Sequence, residues 1–535
     1  MADKSFYITT PIYYVNDSPH IGHAYTTIAC DAMARFKRLD GYDVKFLTGT
    51  DEHGQKVDKA AKTANIDPQA FTDEVSIRFR NLVNTGENLL NISNDDFIRT
   101  TESRHKKAAQ ALWKRMEDNG HIYLDTYEGW YSVRDEAYYQ ESELVEKEGK
   151  KIAPSGAEVE WVKEESYFFN LSKWQKKLLD FYESHPDFVI PNTRYNEVKS
   201  FVRGGKEFEE GALKDLSISR TTFDWGIPVP GNPKHVMYVW IDALCNYLTA
   251  IGYPDADNAE YKKFWEGNAD SPVHVVGKDI IRFHAVYWPA FLMAADLPMP
   301  RKIVAHGWWT IEGEKMSKSV GNVVAPKDLV NEFGLDQMRY FLLREVPFGN
   351  DGNFSRTAMS DRINSDLANN IGNLAQRVLS MIQKNCNGLV PAFSALTDDD
   401  KRMLDYAQVT LDKRKVIEAP INNHINNFKF DLILEDILSI SSDANEYINK
   451  EAPWKLKDDL VRRNSVLYVL AESIRCIAIM LQPFMPGASG KILDLLASPE
   501  NERMFKHLSP EYSLKTGTLL PVPQGVFPRI ETDKN

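Results

Sequence analysis

The first fifty residues order themselves as strand, turn, helix and strand, and this constrains the fold more than any other feature. Residues 6–13 are apolar and β-prone, residues 20–39 carry apolar side chains at helical spacing, Gly41 closes that run, and residues 44–47 read as the next strand. Strand, crossover helix and strand imply parallel pairing with a right-handed connection. Ligands of such sheets settle beyond the carboxyl ends of the strands. Two polar segments fall at those ends: Pro19-His20-Ile21-Gly22-His23 and Thr50-Asp51-Glu52-His53-Gly54.

From 118 to 222 the texture changes. The stretch is rich in Glu, Lys and aromatics, as in Gly129-Trp130-Tyr131-Ser132 and Tyr167-Phe168-Phe169, and reads as an insertion. Strand character returns at 236–240, 273–276 and 303–305, as a doubly wound domain interrupted by an insertion requires. Beyond about residue 355 nearly everything is helical: Leu367, Ile371, Leu374, Val378 and Met381 form a stripe at helical spacing, and amphipathic segments continue to about 495. A helix bundle is expected, with 521–535 as an extended tail.

A chain of 535 residues suits several domains, and 43% hydrophobic with 26% charged residues is ordinary soluble composition. The apolar run 239–248 is too short for a membrane span, and the start lacks an apolar signal region, so a cytoplasmic protein is expected. Cys30, Cys245, Cys386 and Cys476 are too far apart for a C-x-x-C clamp and too few for an extracellular disulfide scaffold. A net charge of −12 argues against nonspecific coating of nucleic acid but leaves local basic faces open.

His20 and His23 share one side of a first helical turn, where free N–H groups and the helix dipole favour phosphate. Gly22 leaves room for a base or ribose against the backbone. Much later, Lys315-Met316-Ser317-Lys318-Ser319, with Gly321, follows a strand-like run. Two ammonium groups among small residues suit a loop that closes over a triphosphate.

With both motifs intact, the chain resembles the class I aminoacyl-tRNA synthetases. The resemblance implies a Rossmann-type α/β doubly wound catalytic domain (1–117 and 223–300), an inserted α+β connective-peptide domain (118–222), a KMSKS and stem-contact region (301–355), and an all-α anticodon-binding bundle with its tail (356–535). It also implies attack of an amino-acid carboxylate on the α-phosphate of ATP, with Mg²⁺ accompanying the nucleotide. The catalytic set carried over is His20, His23, Lys315 and Lys318, with Lys318 holding the leaving pyrophosphate. Positioning and charge stabilisation would dominate such a step.

Further pieces resemble the methionyl-tRNA synthetases along almost the whole chain: Pro11-Ile12-Tyr13-Tyr14, Asp51, Val239-Trp240-Ile241-Asp242-Ala243, Tyr247, and the run from Gly277 to His284. By that resemblance Asp51 binds the substrate ammonium, and Ile12, Tyr14, Trp240, Ala243, Tyr247, Ile280 and His284 surround the methionine side chain. Gly277 and Asp279 join His20, Gly22, His23 and Lys318 around ATP. A thioether is soft and favoured by aromatic rings, and Tyr14 and His284 could each offer sulfur a weak polar contact. An insertion of about a hundred residues is too short for the editing domain of Leu, Ile or Val relatives, and a cysteine-specific relative would need zinc-binding cysteines. Asn373 and Arg377, four apart, and Trp454 just after Pro453 match the residues that read the CAU anticodon of tRNA(Met) in these relatives. Ser132 and Asp135 stand where many relatives place a C-x-x-C pair, so no structural zinc is expected. The chain ends soon after the bundle, and a monomer is expected. Two competing readings weigh less. An adenylating ligase such as pantothenate synthetase needs no bundle, and a non-catalytic RNA-binding paralogue needs no intact His20, His23 and Lys318.

Overall fold

The computed structural model describes every residue except 1–3, 16–17, 135–136, 140, 148, 267–269, 312, 316–322, 395, 410–423 and 532–535. The chain forms two compact units. One takes Ser5–Pro19 and Lys45–Ala305; the other takes Met1–Lys4, His20–Val44 and His306–Asn535.

The first unit is built on a sheet that has seven strands among the described residues. Its order is Val189–Ile190, Lys302–His306, Val273–Gly277, Ser5–Thr9, Asp43–Asp51 and Tyr13–Tyr14, with Asp96–Arg99 also on Asp43–Asp51. Ile8 pairs with Val273, Tyr14 with Asp51, Thr50 with Arg99 and Val189 with Ile303, all in parallel. Phe6, Tyr7, Ile8 and Thr9 are all buried, which is why this strand reads as continuously apolar rather than alternating. The expected strand over 6–13 breaks in two: the Thr10 N–H still reaches the Leu47 carbonyl at 3.0 Å, but Pro11 has no N–H to continue the ladder. The second strand runs on past the expected 44–47, so Asp51 is its last residue. Helix Ser103–Asp118 buries His105, Ala108, Ala109, Leu112, Trp113 and Met116 at helical spacing.

The segment read as an insertion opens with two long antiparallel strands, Ile122–Ser132 and Glu160–Phe169. It then hands Val189–Ile190 back to the edge of the main sheet, well before 222. A two-residue strand is too short to leave a periodic signal. The expected strand at 236–240 also differs. Asn232–Met237 is a strand, but of a separate antiparallel sheet with Ser219–Arg220 and Pro228–Val229. At Tyr238 the chain turns: its carbonyl accepts from the N–H groups of Ile241 (3.1 Å) and Asp242 (3.3 Å), opening helix Val239–Leu244. Trp240 therefore stands on a helix.

The second unit contains helix Ile21–Leu39 and a helical bundle with Asn373–Asn385, Asp398–Val409, Phe430–Glu451, Leu460–Leu481 and Pro486–Leu495. Leu367, Ile371, Leu374 and Val378 are buried as their spacing predicts, while Met381 is half-buried. Helix Leu460–Leu481 is long and apolar enough to cross a membrane, yet it is buried inside the bundle. Within this unit the buried Asp31 of the first helix pairs with Arg339 at 2.7 Å, and Arg339 also donates to the Phe484 carbonyl at 2.9 Å. The described part of the tail, 521–531, is extended but docked. Asn364 donates to the Ile530 carbonyl (2.9 Å) and accepts from its N–H (2.8 Å), and Phe527 is buried.

Candidate functional site

In the second unit, His20 caps helix Ile21–Leu39. Its Nδ1 accepts from the Gly22 N–H at 3.0 Å, while the Nδ1 of His23 accepts from the His20 N–H at 3.1 Å. A backbone N–H can only donate, so both Nδ1 atoms carry lone pairs and each ring keeps its proton on Nε2. Burial and then the neighbouring His20 ring push His23 well below the ordinary imidazole range, which keeps it uncharged. The two rings lie 3.9 Å apart, centre to centre. Gly22 has a role the sequence did not reveal: a Cβ there would come within 2.9 Å of the His20 ring and displace the cap. The reciprocal cap thus fixes two imidazoles with Nε2–H donors at a helix N-terminus, as phosphate recognition requires. Strand Glu314–Lys315 pairs with Trp309–Ile311. Residues 316–322, Lys318 among them, lie outside the described residues, as does the side chain of Lys315.

The residues expected around an amino acid lie in the first unit, Asp51 beside Tyr14 and, separately, Tyr247 and Trp240 beside His284. Asp51, buried at the end of its strand, is the direct register partner of Tyr14. Strand Val273–Gly277 ends at Gly277, and a single turn, Lys278–Ile280, leads on through Asp279 and Ile280 towards a π-helical segment, Phe283–Tyr287, that carries His284. Such π turns often occur at functional sites. Tyr247 and His284, both buried, are joined at 2.8 Å. The Trp240 indole stacks on Phe283 at 3.6 Å and meets the His284 ring edge-on at 6.3 Å. Ala243 is buried one turn along the helix from Trp240. Ile12, Tyr14, Trp240 and Ile280 are half-buried, each packed on the core.

The chemistry of His284 is settled by its neighbours. Its Nδ1 lies 3.0 Å from the Ile280 carbonyl, which can only accept, so Nδ1 carries the proton. Burial lowers its pKa to about 4, against smaller opposing effects from the Ile280 carbonyl and Asp279. The ring is therefore neutral near pH 7, and its Nε2 accepts the Tyr247 hydroxyl. Both nitrogens are engaged, so His284 has no N–H left for a ligand sulfur. It presents an uncharged aromatic edge instead.

Sequence reasoning missed the residues that hold the Asp51 turn. Glu52, fully buried, accepts from Thr50 (2.7 Å), Arg99 (2.7 Å) and Thr101 (2.5 Å). The Trp225 indole donates to the Glu52 carbonyl at 2.6 Å, and the Trp225 carbonyl accepts from Gly54 at 3.1 Å. These partners are scattered along the sequence, and no local spacing announces them.

In the bundle, Arg377 lies over the Trp454 ring at 5.4 Å and donates to Asn449 at 3.2 Å. Trp454 is 44% exposed, so it does not serve as a bundle-core residue, and Asn373 is exposed at the start of the Arg377 helix. Two residues before Trp454, Ala452 takes a left-handed conformation (φ 42°) at the end of its helix. Ser132 is buried at the end of its strand, and Asp135 lies outside the described residues.

The model of class I tRNA synthetases (M) matches residues 6–379, and that of the anticodon binding domain of methionyl tRNA ligase matches residues 391–535. The chain belongs to the methionyl-tRNA synthetase family. It is 56% identical to the methionine–tRNA ligase of Rickettsia felis, with 99% of each chain covered, and 55% identical to that of Rhizobium meliloti, again with 99% of each covered. Among solved structures it is similar to Mycobacterium tuberculosis methionyl-tRNA synthetase in complex with methionyl-adenylate. That match has a TM-score of 0.92 and 50% identity, covering 98% of this chain and 100% of the other. The class I catalytic fold with a helical anticodon domain is thereby shared over the full length.

Proposed function

We propose that the chain is an ATP-dependent methionine–tRNA ligase. It joins L-methionine to ATP, giving methionyl-adenylate and pyrophosphate, and then passes methionine to the 3′-terminal adenosine of tRNA(Met). The carrying observation is the uncharged wall of Tyr247, His284 and Trp240 in the same unit as a buried Asp51 carboxylate. A thioether with an α-ammonium meets both needs: soft aromatic contact at one end and a buried anion at the other. The solved relative that holds methionyl-adenylate supports the same reading.

In this reading Asp51 holds the substrate ammonium. Ile12, Tyr14, Trp240, Ala243, Tyr247, Ile280 and His284 enclose the side chain, and Gly277 and Asp279 adjoin the nucleotide. The Nε2–H groups of His20 and His23 donate to the phosphate undergoing attack. No proton need leave them, because charge builds up on oxygen and preorganised donors stabilise it without reorganising. Lys315 and Lys318 are assigned to the pyrophosphate. Mg²⁺ would arrive on the triphosphate; among the described residues no cluster of His, Cys, Asp or Glu forms a metal cage. Asn373, Arg377 and Trp454 are assigned to the anticodon: an exposed indole gives a stacking platform, and the amide and guanidinium give polar contacts to base edges. A monomer working in the cytoplasm without structural zinc completes the proposal; stoichiometric, tightly bound zinc would contradict that last element.

The test is ATP–pyrophosphate exchange with each of the twenty amino acids, followed by charging of a tRNA with a CAU anticodon. Exchange driven by methionine and charging of that tRNA alone are expected. Faster exchange with any other amino acid would overturn the substrate.

A further inference from the structure

Asp242 is fully buried, and each of its carboxylate oxygens meets an imidazole: His53 Nδ1 on Oδ2 at 2.7 Å and His105 Nε2 on Oδ1 at 2.7 Å. His105 continues the array through Nδ1 to Thr249 Oγ1 at 3.1 Å. All three residues are at most 2% exposed. The two imidazoles hold the Asp242 carboxyl down to about 2 against the upward push of burial, so it is an anion that only accepts, and both facing nitrogens donate. A buried carboxylate is costly where apolar packing would serve. Its position suggests what it is for. His53 stands two residues after Asp51, Asp242 two after Trp240, and Thr249 two after Tyr247. The array runs through the elements that carry Asp51, Trp240 and Tyr247, three of the side chains that the proposed function uses. Trp225 closes it from outside, with its ring edge-on to His53 at 5.4 Å.

We propose that His53, Asp242 and His105 are positioning residues that lock the turn carrying Asp51 to the helices carrying Trp240 and Tyr247, fixing the span between the ammonium and thioether ends of the methionine site. The inference rests on reading Asp51 as the ammonium partner and Trp240 and Tyr247 as thioether wall. None of the three touches substrate. They set the distance between groups that do, and small misplacements of such groups are expensive.

A ligand that reaches both ends feels a loss of registry, and a ligand that reaches one end does not. The two ligands are therefore methionine and 4-(methylthio)butanoate, which is methionine without its amino group. In His53→Ala, the Kd of methionine should rise about tenfold, within the range of couplings between contacting groups. The Kd of the deaminated analogue should rise less than twofold, and the KM for ATP in pyrophosphate exchange should stay within twofold. His53→Asn places an amide N–H where Nδ1 stood and should recover methionine binding to within threefold of wild type. If His53→Ala does not fold, His105→Ala against His105→Gln asks the same question through the Nε2 position. Equal weakening of both ligands, a parallel rise in the KM for ATP, no recovery with the amide variants, or no loss at all would each overturn the inference. A wild type that holds the two ligands equally would strike Asp51 itself, and the inference with it. A wild type that prefers methionine while His53→Ala weakens both ligands alike would strike the inference alone.

Discussion

Acid should act on this protein through His284 in a calculable way. The ring is 2% exposed, and burial lowers its pKa from the ordinary 6.5 to about 4. Below pH 6.5 an unfolded chain binds a proton at this position, while the folded chain does not until about pH 4. Stability therefore rises with pH across that window and falls on acidification through it. At 1.36 kcal/mol per unit, the difference between the two pKa values makes the group responsible for about 3 kcal/mol lost between neutral pH and pH 4. His274 stacks on the same Tyr247 ring at 4.0 Å, and burial also lowers its pKa, so its contribution has the same sign. His284→Gln separates the two. Its amide oxygen can accept the Tyr247 hydroxyl, and it has no proton to gain. Denaturant unfolding followed between pH 7 and pH 4 should show wild type losing about 3 kcal/mol more than His284→Gln. In an NMR titration the wild-type His284 ring should move near pH 4. A midpoint near 6.5, or parallel pH slopes for the two proteins, would refute the neutral, doubly engaged imidazole.

Other perturbations report on single roles. Asp51→Asn keeps the shape and removes a buried charge; breaking a buried ion pair costs about 3–5 kcal/mol, so kcat/KM for methionine in exchange should fall by about two to four orders of magnitude, with the thermal midpoint little changed. Trp454→Ala should lower charging of tRNA by about tenfold or more, as the loss of a stacked base predicts, and leave pyrophosphate exchange within twofold; equal losses in both assays would point to folding instead. At His20 the donor position matters: His20→Gln can present an N–H near the Nε2 position and should retain more exchange than His20→Asn, which cannot reach it, with a kcat difference of about tenfold or more.

The β-α-β order, the bundle and the two polar segments at strand ends were legible because periodicity and turn residues are local signals. Trp240 was placed on a strand because an apolar run carries no period that separates strand from buried helix, and only the hydrogen bonds at Tyr238 decide. Val189–Ile190 was invisible because its place in the sheet is set by Ile303 and Val304, more than a hundred residues away. The pocket residues were readable as types, but their protonation was not. That His284 holds its proton on Nδ1 depends on the Ile280 carbonyl and the Tyr247 hydroxyl, the second of them distant in sequence. The His53–Asp242–His105 array left no trace for the same reason: its three members come from a strand-end turn and two separate helices.

A crystal structure with a non-hydrolysable methionyl-adenylate analogue tests the central claim most directly. The α-ammonium should lie within about 3 Å of the Asp51 carboxylate, with the sulfur against Trp240, Tyr247 and His284. A thioether seated elsewhere, or an ammonium held by any other group, would contradict the account.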